Sequence, residues 1–521
     1  MKQPKEKHTN LSTNETADLF HVSPSTIHNW VKEGLLTFDG EKRVTWESIR
    51  RFRLEHAGKH KLQARANKLL KDEYDAAEVG RAIQKELCAA AFDDTIGNRY
   101  EAMLSESFKN KEGISYTPKA IVDDMTRGIK ADASILFLDP CCGSGNFLVR
   151  AIEMGVAPEN VYGFDTDPNA IAIARRRIQE LTGCEPQHVV CADFLKECQR
   201  LRVKFDMVFT NPPWGKKLPR KDRTAYAKRF HIIASSDTCS LFLFSILSKL
   251  KPNGIAGLLM PESFYKIAVY EDARNAVLLK TILRIKDYGK VFKNMYSAVS
   301  VLFKNGTSDP KHEVSCCFNG KTYSRLQTSF KSMPRNNLNY WTSADEMDRV
   351  EWLMRQPHLT LKGHADWGLG IVTGNNAKMC KRSRRVGLKA VYCGKDILPG
   401  KLKAATLFLN PEEFQYYQQM ASLEMLNAPV KLIYRFISNE LVFYCDRHQR
   451  YILNSANMLV LDKDFPLTSK QVAEAMNSPL TNWLFKQLFN THKVLKSDLE
   501  LLPIFTDLSL HRRFNLLDFG G

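Results

Sequence analysis

The sequence carries no two CxxC pairs, and its twelve cysteines are scattered over 521 residues. The adjacent pairs Cys141-Cys142 and Cys316-Cys317 do not have structural-zinc spacing. Neither a disulfide framework nor a metal site is expected, and the thiols read as reduced ones of a cytoplasmic protein. No segment reaches the roughly 18 apolar residues of a membrane span. The longest apolar run, Leu241 to Leu247, reads as a core helix. The opening MKQPKEKHTN is polar and lacks the apolar middle of a signal peptide. The pattern GxxxxGK[ST] is missing, so no phosphate loop for a nucleotide triphosphate is expected. There is no internal repeat and no low-complexity tract.

What is present is a globular composition with an excess of positive charge. Hydrophobic residues make up 44% of the chain, enough to bury a core, and the length suggests about three domains. Lys and Arg total 75 against 57 Asp and Glu, a net charge of +18. That balance favours a polyanionic partner, nucleic acid before an acidic membrane.

Four regions separate by pattern. In residues 1–55, Ser12 can cap a helix from Thr13 to Phe20, and His21-Val22-Ser23 makes a short turn. Pro24 then opens a second helix that Gly34 ends. A strand pair from Leu36 to Val44, bending at Asp39-Gly40, completes a winged helix-turn-helix. It resembles the N-terminal unit of MerR-like and excisionase-like proteins. Its recognition face would carry Ser23, Ser25, Thr26, His28, Asn29 and Lys32. Residues 56–112 read as a helical connector. From 113 to 306 short apolar strands alternate with helices. The strand candidates are Ser134–Asp139, Val161–Asp165, His188–Ala192, Phe205–Thr210, Gly254–Met260, Leu283–Tyr288 and Ala298–Phe303. That alternation implies an α/β fold with a mostly parallel, doubly wound, seven-stranded sheet. Residues 307–521 have no such regularity and read as a mixed α+β domain.

The first candidate strand runs into Asp139-Pro140-Cys141-Cys142-Gly143-Ser144-Gly145-Asn146-Phe147. A glycine-rich turn between strand and helix lets a ligand approach the backbone closely. Asp165 ends the second strand, where an acidic side chain can hold a ribose diol. Together these point to a nucleoside-containing cofactor. After the third strand, Asp193-Phe194 can accept from an adenine amine and lie against its ring. After the fourth comes Asn211-Pro212-Pro213-Trp214. The prolines fix the backbone so that an amide oxygen and a carbonyl can face one spot, which suits an NH2 group. Trp214 offers a flat face to a ring. This is a site for a planar heterocycle with an exocyclic amine.

In order, G-I-S-Y-T-P at Gly113 to Pro118, then D-P-C-C-G-S-G-N-F, G-F-D-T-D-P, A-D-F and N-P-P-W resemble the motifs of the S-adenosylmethionine-dependent N6-adenine DNA methyltransferases. The Y-T-P element precedes the glycine loop and a long region follows, which is similar to their gamma, TaqI-like class. Gly97 to Glu101 also resembles the helix that leads into this domain in the family. The resemblance implies a Rossmann-like class I methyltransferase domain at 113–306 and a target-recognition domain at 307–521.

Carried over residue by residue, it implies that Tyr116, Thr117 and Pro118 line the methionine end of the cofactor. Asp139, Cys142, Gly143 and Gly145 would form the loop beneath it. Asp165 would bind its ribose, and Asp193 and Phe194 its adenine. Asn211, Pro212 and Pro213 would hold the target amine. Trp214, where the family usually has Tyr or Phe, would stack on the flipped base, and Phe292 would pack on its other face. No Cys or His nucleophile is implied.

Two basic runs read as phosphate contacts on double-stranded DNA: Lys216, Lys217 and Arg220 with the residues to Arg229, and Lys378 to Lys389 with Lys381, Arg382, Arg384 and Arg385. The expectation is therefore a monomeric, nucleoid-associated adenine methyltransferase. It would stand alone or beside a separately encoded restriction endonuclease. No paired-carboxylate-plus-Lys signature points to cleavage by the chain itself. The same N-P-P-aromatic chemistry also serves amine methylation of RNA or protein glutamine, and a regulator with an inactive methyltransferase fold is a further reading.

Overall fold

The computed structural model describes residues 10–510 apart from 21–23, 33, 57–63, 89–93, 106–107, 110–111, 113–114, 217, 234, 236, 293–296 and 508. The chain divides into two compact units, Met1–Tyr226 with Asp237–Lys251, and Ala227–Ser236 with Pro252–Gly521.

The first unit begins with three helices, α1 (Thr13–Leu19), α2 (Pro24–Lys32) and α3 (Trp46–His56). Ser12 accepts from Glu15 N while the Glu15 side chain accepts from Ser12 N, a reciprocal cap that satisfies two otherwise orphaned donors. Ile27, Trp30, Leu36, Val44, Ile49 and Phe52 form the core. The expected strand pair is reduced to isolated bridges, Leu11 to Val44 and Phe38 to Val44. Asp39 makes the bend by accepting the N–H groups of Glu41 and Arg43, and the positive φ falls on Lys42 (59°), not on Gly40. Of the expected recognition face, Thr26 is half-buried, and exposed His28 sits 3.0 Å from Pro24 O through Nδ1. The turn 21–23 and the side chains of Ser25, Asn29 and Lys32 lie outside the described residues. The connector contains α4 (Ala64–Leu87) and α5 (Ile96–Met103).

Four strands follow: β1 (Phe137–Asp139), β2 (Val161–Asp165), β3 (Val189–Cys191) and β4 (Phe205–Thr210). β1 pairs in parallel with β2 and with β4, and β2 pairs in parallel with β3, giving the order β3-β2-β1-β4. Each ends on a residue that the motifs place at the ligand edge or next to one. β1 starts three residues later than expected because Asp132 Oδ1 takes both N and Oγ of Ser134, which sets a turn there. The apolar run at 241–247 lies within the helix Thr238–Lys249 and is mostly buried, as its composition indicated.

In the second unit, which takes β5 (Leu250–Pro261) from Pro252 onward, β6 (Thr281–Asp287), β7 (Ala298–Lys304), β8 (Glu313–Phe318) and β9 (Lys321–Leu326) follow in the order β5-β7-β6-β8-β9. β7 is antiparallel to both of its neighbours. The division expected at residue 306 does not hold. β8 adds in parallel to β6 and β9 folds back on it, so residues 313–326 belong to this sheet. Beyond them, strands Ala365–Leu369, Ala456–Leu461, Lys431–Arg435 and Phe443–Asp446 form an antiparallel sheet in that order. It packs against helices Ala344–Met354, Ser469–Met476 and Pro479–Phe489. No described helix is long and apolar enough to cross a membrane.

Candidate active site

The strand ends and loops of the first unit enclose a cavity of about 430 Å³. Tyr116, Gly143, Asp165, Asp193, Phe194, Asn211 and Pro213 all line it. A recess of about 30 Å³, lined among others by Thr117, Asp139, Cys142 and Asn211, opens beside it.

The glycine loop is shaped by its backbone. Gly143 has φ +49°, and a Cβ there would sit 2.8 Å from the Tyr116 ring, so this position combines a left-handed conformation with a close approach. Arg177, 7% exposed, pins the loop from below. It donates to Ser144 O (2.8 Å), Asn146 Oδ1 (2.7 Å) and both carboxylate oxygens of Asp94. Asn146 in turn donates to Thr117 O at 2.8 Å, which ties the Y-T-P segment to the loop.

Asp165 holds the loop from the side. Its Oδ2 accepts from Gly143 N and its Oδ1 from Asp167 N, each at 2.9 Å. Burial raises its pKa, and these two N–H donors oppose the rise. Asp193 accepts from Leu195 N at 3.0 Å, and Phe194 packs near Phe164 and Phe242. Burial holds the Cys141 and Cys142 thiols well above their ordinary pKa, so neither is a thiolate nucleophile.

Asp139 is buried with Thr210 Oγ1 donating at 2.7 Å and Cys141 N at 3.2 Å. Burial pushes its pKa up to about 7, assisted by the Asp165 charge. The unfolded carboxyl titrates near 4. The group's stabilising contribution is therefore complete below about pH 4 and is lost as the pH rises through about 7. Asp139→Asn should flatten that part of the stability–pH profile, by on the order of a few kcal/mol between pH 4 and 8. Chemical denaturation at both pH values checks it, and an unchanged slope would refute the assignment.

Asn211 is the decisive side chain. Its Nδ2 donates to Ser115 O at 2.8 Å, which fixes the amide orientation because a carbonyl can only accept. Its Oδ1 is buried and has no hydrogen-bond partner. A buried acceptor left unmet costs about 1–3 kcal/mol, so a ligand donor is the natural complement.

Other expected residues do not line the cavity. Pro118 begins the helix Lys119–Thr126. Gly145 (φ +88°) serves packing, since a Cβ there would sit 2.9 Å from Ala174 Cβ. Pro212 is buried and Trp214 half-buried. Phe292 belongs to the second unit. Arg220, Lys381, Arg382, Arg384 and Arg385 are exposed, and Lys217 lies outside the described residues. Lys216 differs from its reading as an open phosphate contact: it lines the cavity, with Nζ 2.9 Å from Glu112 Oε2.

Several lining residues were not singled out from the sequence. Tyr100 OH donates to Asp167 Oδ2 at 2.7 Å. Asn169 Nδ2 lies 3.5 Å from that hydroxyl, and Gln84 of α4 donates to Asn169 Oδ1 at 3.0 Å. Ala76 and Ala77 of α4 also line the cavity. Asp167 stood in the quoted G-F-D-T-D-P and Tyr100 beside Gly97, so a signal existed. Their meeting depends on α5 folding back onto the helix Pro168–Thr182.

Residues 91–345 match the family model for N-6 DNA methylases, and residues 389–504 that for the TaqI-like C-terminal specificity domain. The chain is 39% identical over 391 residues to the type II methyltransferase M.VspI of Vibrio sp. (strain 343), covering 74% of this chain and 96% of that protein. The modification methylase CviBIII of Paramecium bursaria Chlorella virus NC1A is 24% identical over 220 residues, 41% of this chain and 55% of that one. In fold, the chain is similar to the type IIL restriction-modification enzyme MmeI in complex with DNA, with TM-score 0.54 and 10% identity over 79% and 71% of the two chains. It is also similar to the DrdV–DNA complex, with TM-score 0.53 and 11% identity over 97% and 65%.

Proposed function

The chain belongs to the N-6 DNA methylase family, as an adenine-specific DNA methyltransferase of restriction-modification type, and from that premise we propose that it methylates N6 of an adenine flipped out of duplex DNA, using S-adenosylmethionine. Membership in a DNA methylase family favours DNA over RNA or protein glutamine as the substrate, and the transfer assay below distinguishes the enzyme from an inactive regulator.

The observation that carries the proposal is the buried, unpartnered Asn211 Oδ1 on the cavity wall. An exocyclic N–H of the target base would satisfy it, with the Pro212 carbonyl as the second acceptor. Hydrogen bonds from that amine to two acceptors would localise its lone pair on nitrogen, out of conjugation with the ring and toward the methyl group, so positioning does most of the work. The residues also fit the cofactor. Among the described residues that line the cavity, four carboxylates (Glu112, Asp165, Asp167 and Asp193) stand against one cation, Lys216, so the lining is acidic and suits a sulfonium. Gly143 leaves space beside the Tyr116 ring that a Cβ would fill. When bound, S-adenosylmethionine supplies the methyl group. Asp165 would hold its ribose, Asp193 and Phe194 its adenine, and Tyr116 and Thr117 its methionine end. Trp214 would stack on the extruded base, worth about 1–3 kcal/mol against the few that extrusion costs. Lys217, Arg220 and the 381–385 cations would contact phosphates.

The test is transfer of labelled methyl groups to duplex DNA by the purified chain, with the modified base identified by sequencing. DNA binding without transfer would overturn the proposal. The enzyme would stand alone or beside a separately encoded endonuclease of the same specificity, with a monomer the expected state.

The N-terminal helices are proposed as a winged helix-turn-helix that adds DNA contact. Deleting residues 1–56 should leave methyl transfer in place and weaken DNA affinity. Deleting 1–87 should also cost cofactor affinity, because α4 lines the cavity and holds Asn169. Calorimetry with S-adenosylhomocysteine separates the two, and loss of cofactor binding in the shorter deletion would contradict the assignment.

A further inference from the structure

Between Asp366 and Asp396 the sequence contains no acidic residue, yet it carries Lys378, Lys381, Arg382, Arg384, Arg385 and Lys389. Within this stretch stands Val386, 105% exposed, the most exposed large hydrophobic side chain among the described residues. A lone exposed valine is ordinary on a protein surface. This one sits at the apex of a built turn. Leu388 N donates to Arg385 O at 3.2 Å, and Gly387 takes φ +82°. The base is anchored by a pair of backbone hydrogen bonds between Lys381 and Phe408, at 2.7 and 2.8 Å. A recess of about 590 Å³, lined by Arg384, Lys389, Tyr392 and Phe408 among others, lies alongside, so one flank of the loop is open. An apolar apex on an anchored loop, flanked by exposed cations with no carboxylate between them, complements one kind of surface. That surface has anionic rims and a stacked, apolar interior, as in a groove of duplex DNA.

We propose that the loop Arg382–Lys389 is a DNA wedge: Arg382, Arg384 and Arg385 seat on phosphates at the groove rim, and Val386 enters between base steps and partly unstacks them. The proposal rests on the DNA-methyltransferase reading and assigns to this loop the local deformation of the duplex. Insertion of an apolar side chain unstacks and kinks DNA, whereas cations on phosphates add affinity without that distortion. The two contributions are therefore separable by substitution.

The probe is a double-stranded plasmid bound by the full chain, with methyl transfer to it measured in parallel. It is religated from the nicked form with the protein bound, and its topoisomers are then resolved. Wild type should unwind the plasmid. Val386→Ser should lose at least half of that unwinding at equal occupancy and raise KM for DNA about tenfold. It should leave kcat near wild type on duplexes whose target adenine faces an abasic position. Val386→Leu should keep the unwinding. Arg384→Ala with Arg385→Ala should lower the salt dependence of binding by about two phosphate contacts and keep the unwinding once bound. Val386 is solvent-exposed, so its variants should fold, and thermal melting confirms this. Unwinding and KM for Val386→Ser equal to wild type would overturn the wedge. If wild type unwinds DNA yet transfers no methyl group, the enzymatic reading fails and the wedge stands.

Discussion

Asn211→Ala should lower methyl transfer by at least about 10²-fold while cofactor and DNA affinities stay within about threefold, the pattern of a lost interaction made mainly in the transition state. The amine nitrogen of adenine shares its lone pair with the ring and is a poor nucleophile as it stands. Acceptors fixed in place before the base arrives need no reorganisation during the reaction. Asn211 meets that condition because the bond from Nδ2 to Ser115 O orients the amide and leaves Oδ1 unmet. Asn211→Asp provides a control. It keeps an oxygen at the Oδ1 position and sets a second one against the Ser115 carbonyl, so it should recover little. Single-turnover rates with labelled cofactor, beside calorimetric titration of cofactor and gel shifts of DNA, make the comparison. An Asn211→Ala enzyme within threefold of the wild-type rate would move the amine pocket elsewhere.

Much of this site was legible in the sequence because the chemistry sits where strands end. Asp139, Asp165 and Asn211 each close or follow a short apolar run, and those runs became β1, β2 and β4. The parallel pairing of these strands then brings the three residues to one edge. What could not be read depends on partners distant in the chain. Lys216 stands in a run of cations and looks like part of a solvated basic face. Only the fold shows that Glu112 engages it on the cavity wall. The knot of Tyr100, Asp167, Asn169 and Gln84 joins α4, α5 and the start of the helix Pro168–Thr182. None of those spacings is periodic. The boundary set at 306 failed for a similar reason. β8 and β9 are short, with some polar residues, and are held by pairing, β8 with β6 and β9 with β8, which a composition shift cannot reveal.

Asp165→Ala should lower cofactor affinity by about 10²–10³-fold, through two losses of roughly 1–3 kcal/mol each. The first is the ribose. Each carboxylate oxygen of Asp165 already accepts one backbone N–H and keeps lone-pair capacity for a hydroxyl. The second is the shape of the glycine loop. Without the carboxylate, Gly143 N and Asp167 N lose their acceptors, and the left-handed turn at Gly143 loses its lateral support. Asp165→Asn separates the two, since its single oxygen keeps one of the N–H bonds and its NH2 group repels the other. It should fall between wild type and Asp165→Ala. Titration with S-adenosylhomocysteine and with its 2′-deoxyribose counterpart apportions the loss. Wild type should prefer the ribose form, and Asp165→Ala should bind both weakly and alike. A variant that weakens both by one factor yet still prefers the ribose form as wild type does would show that Asp165 shapes the loop while another group holds the sugar.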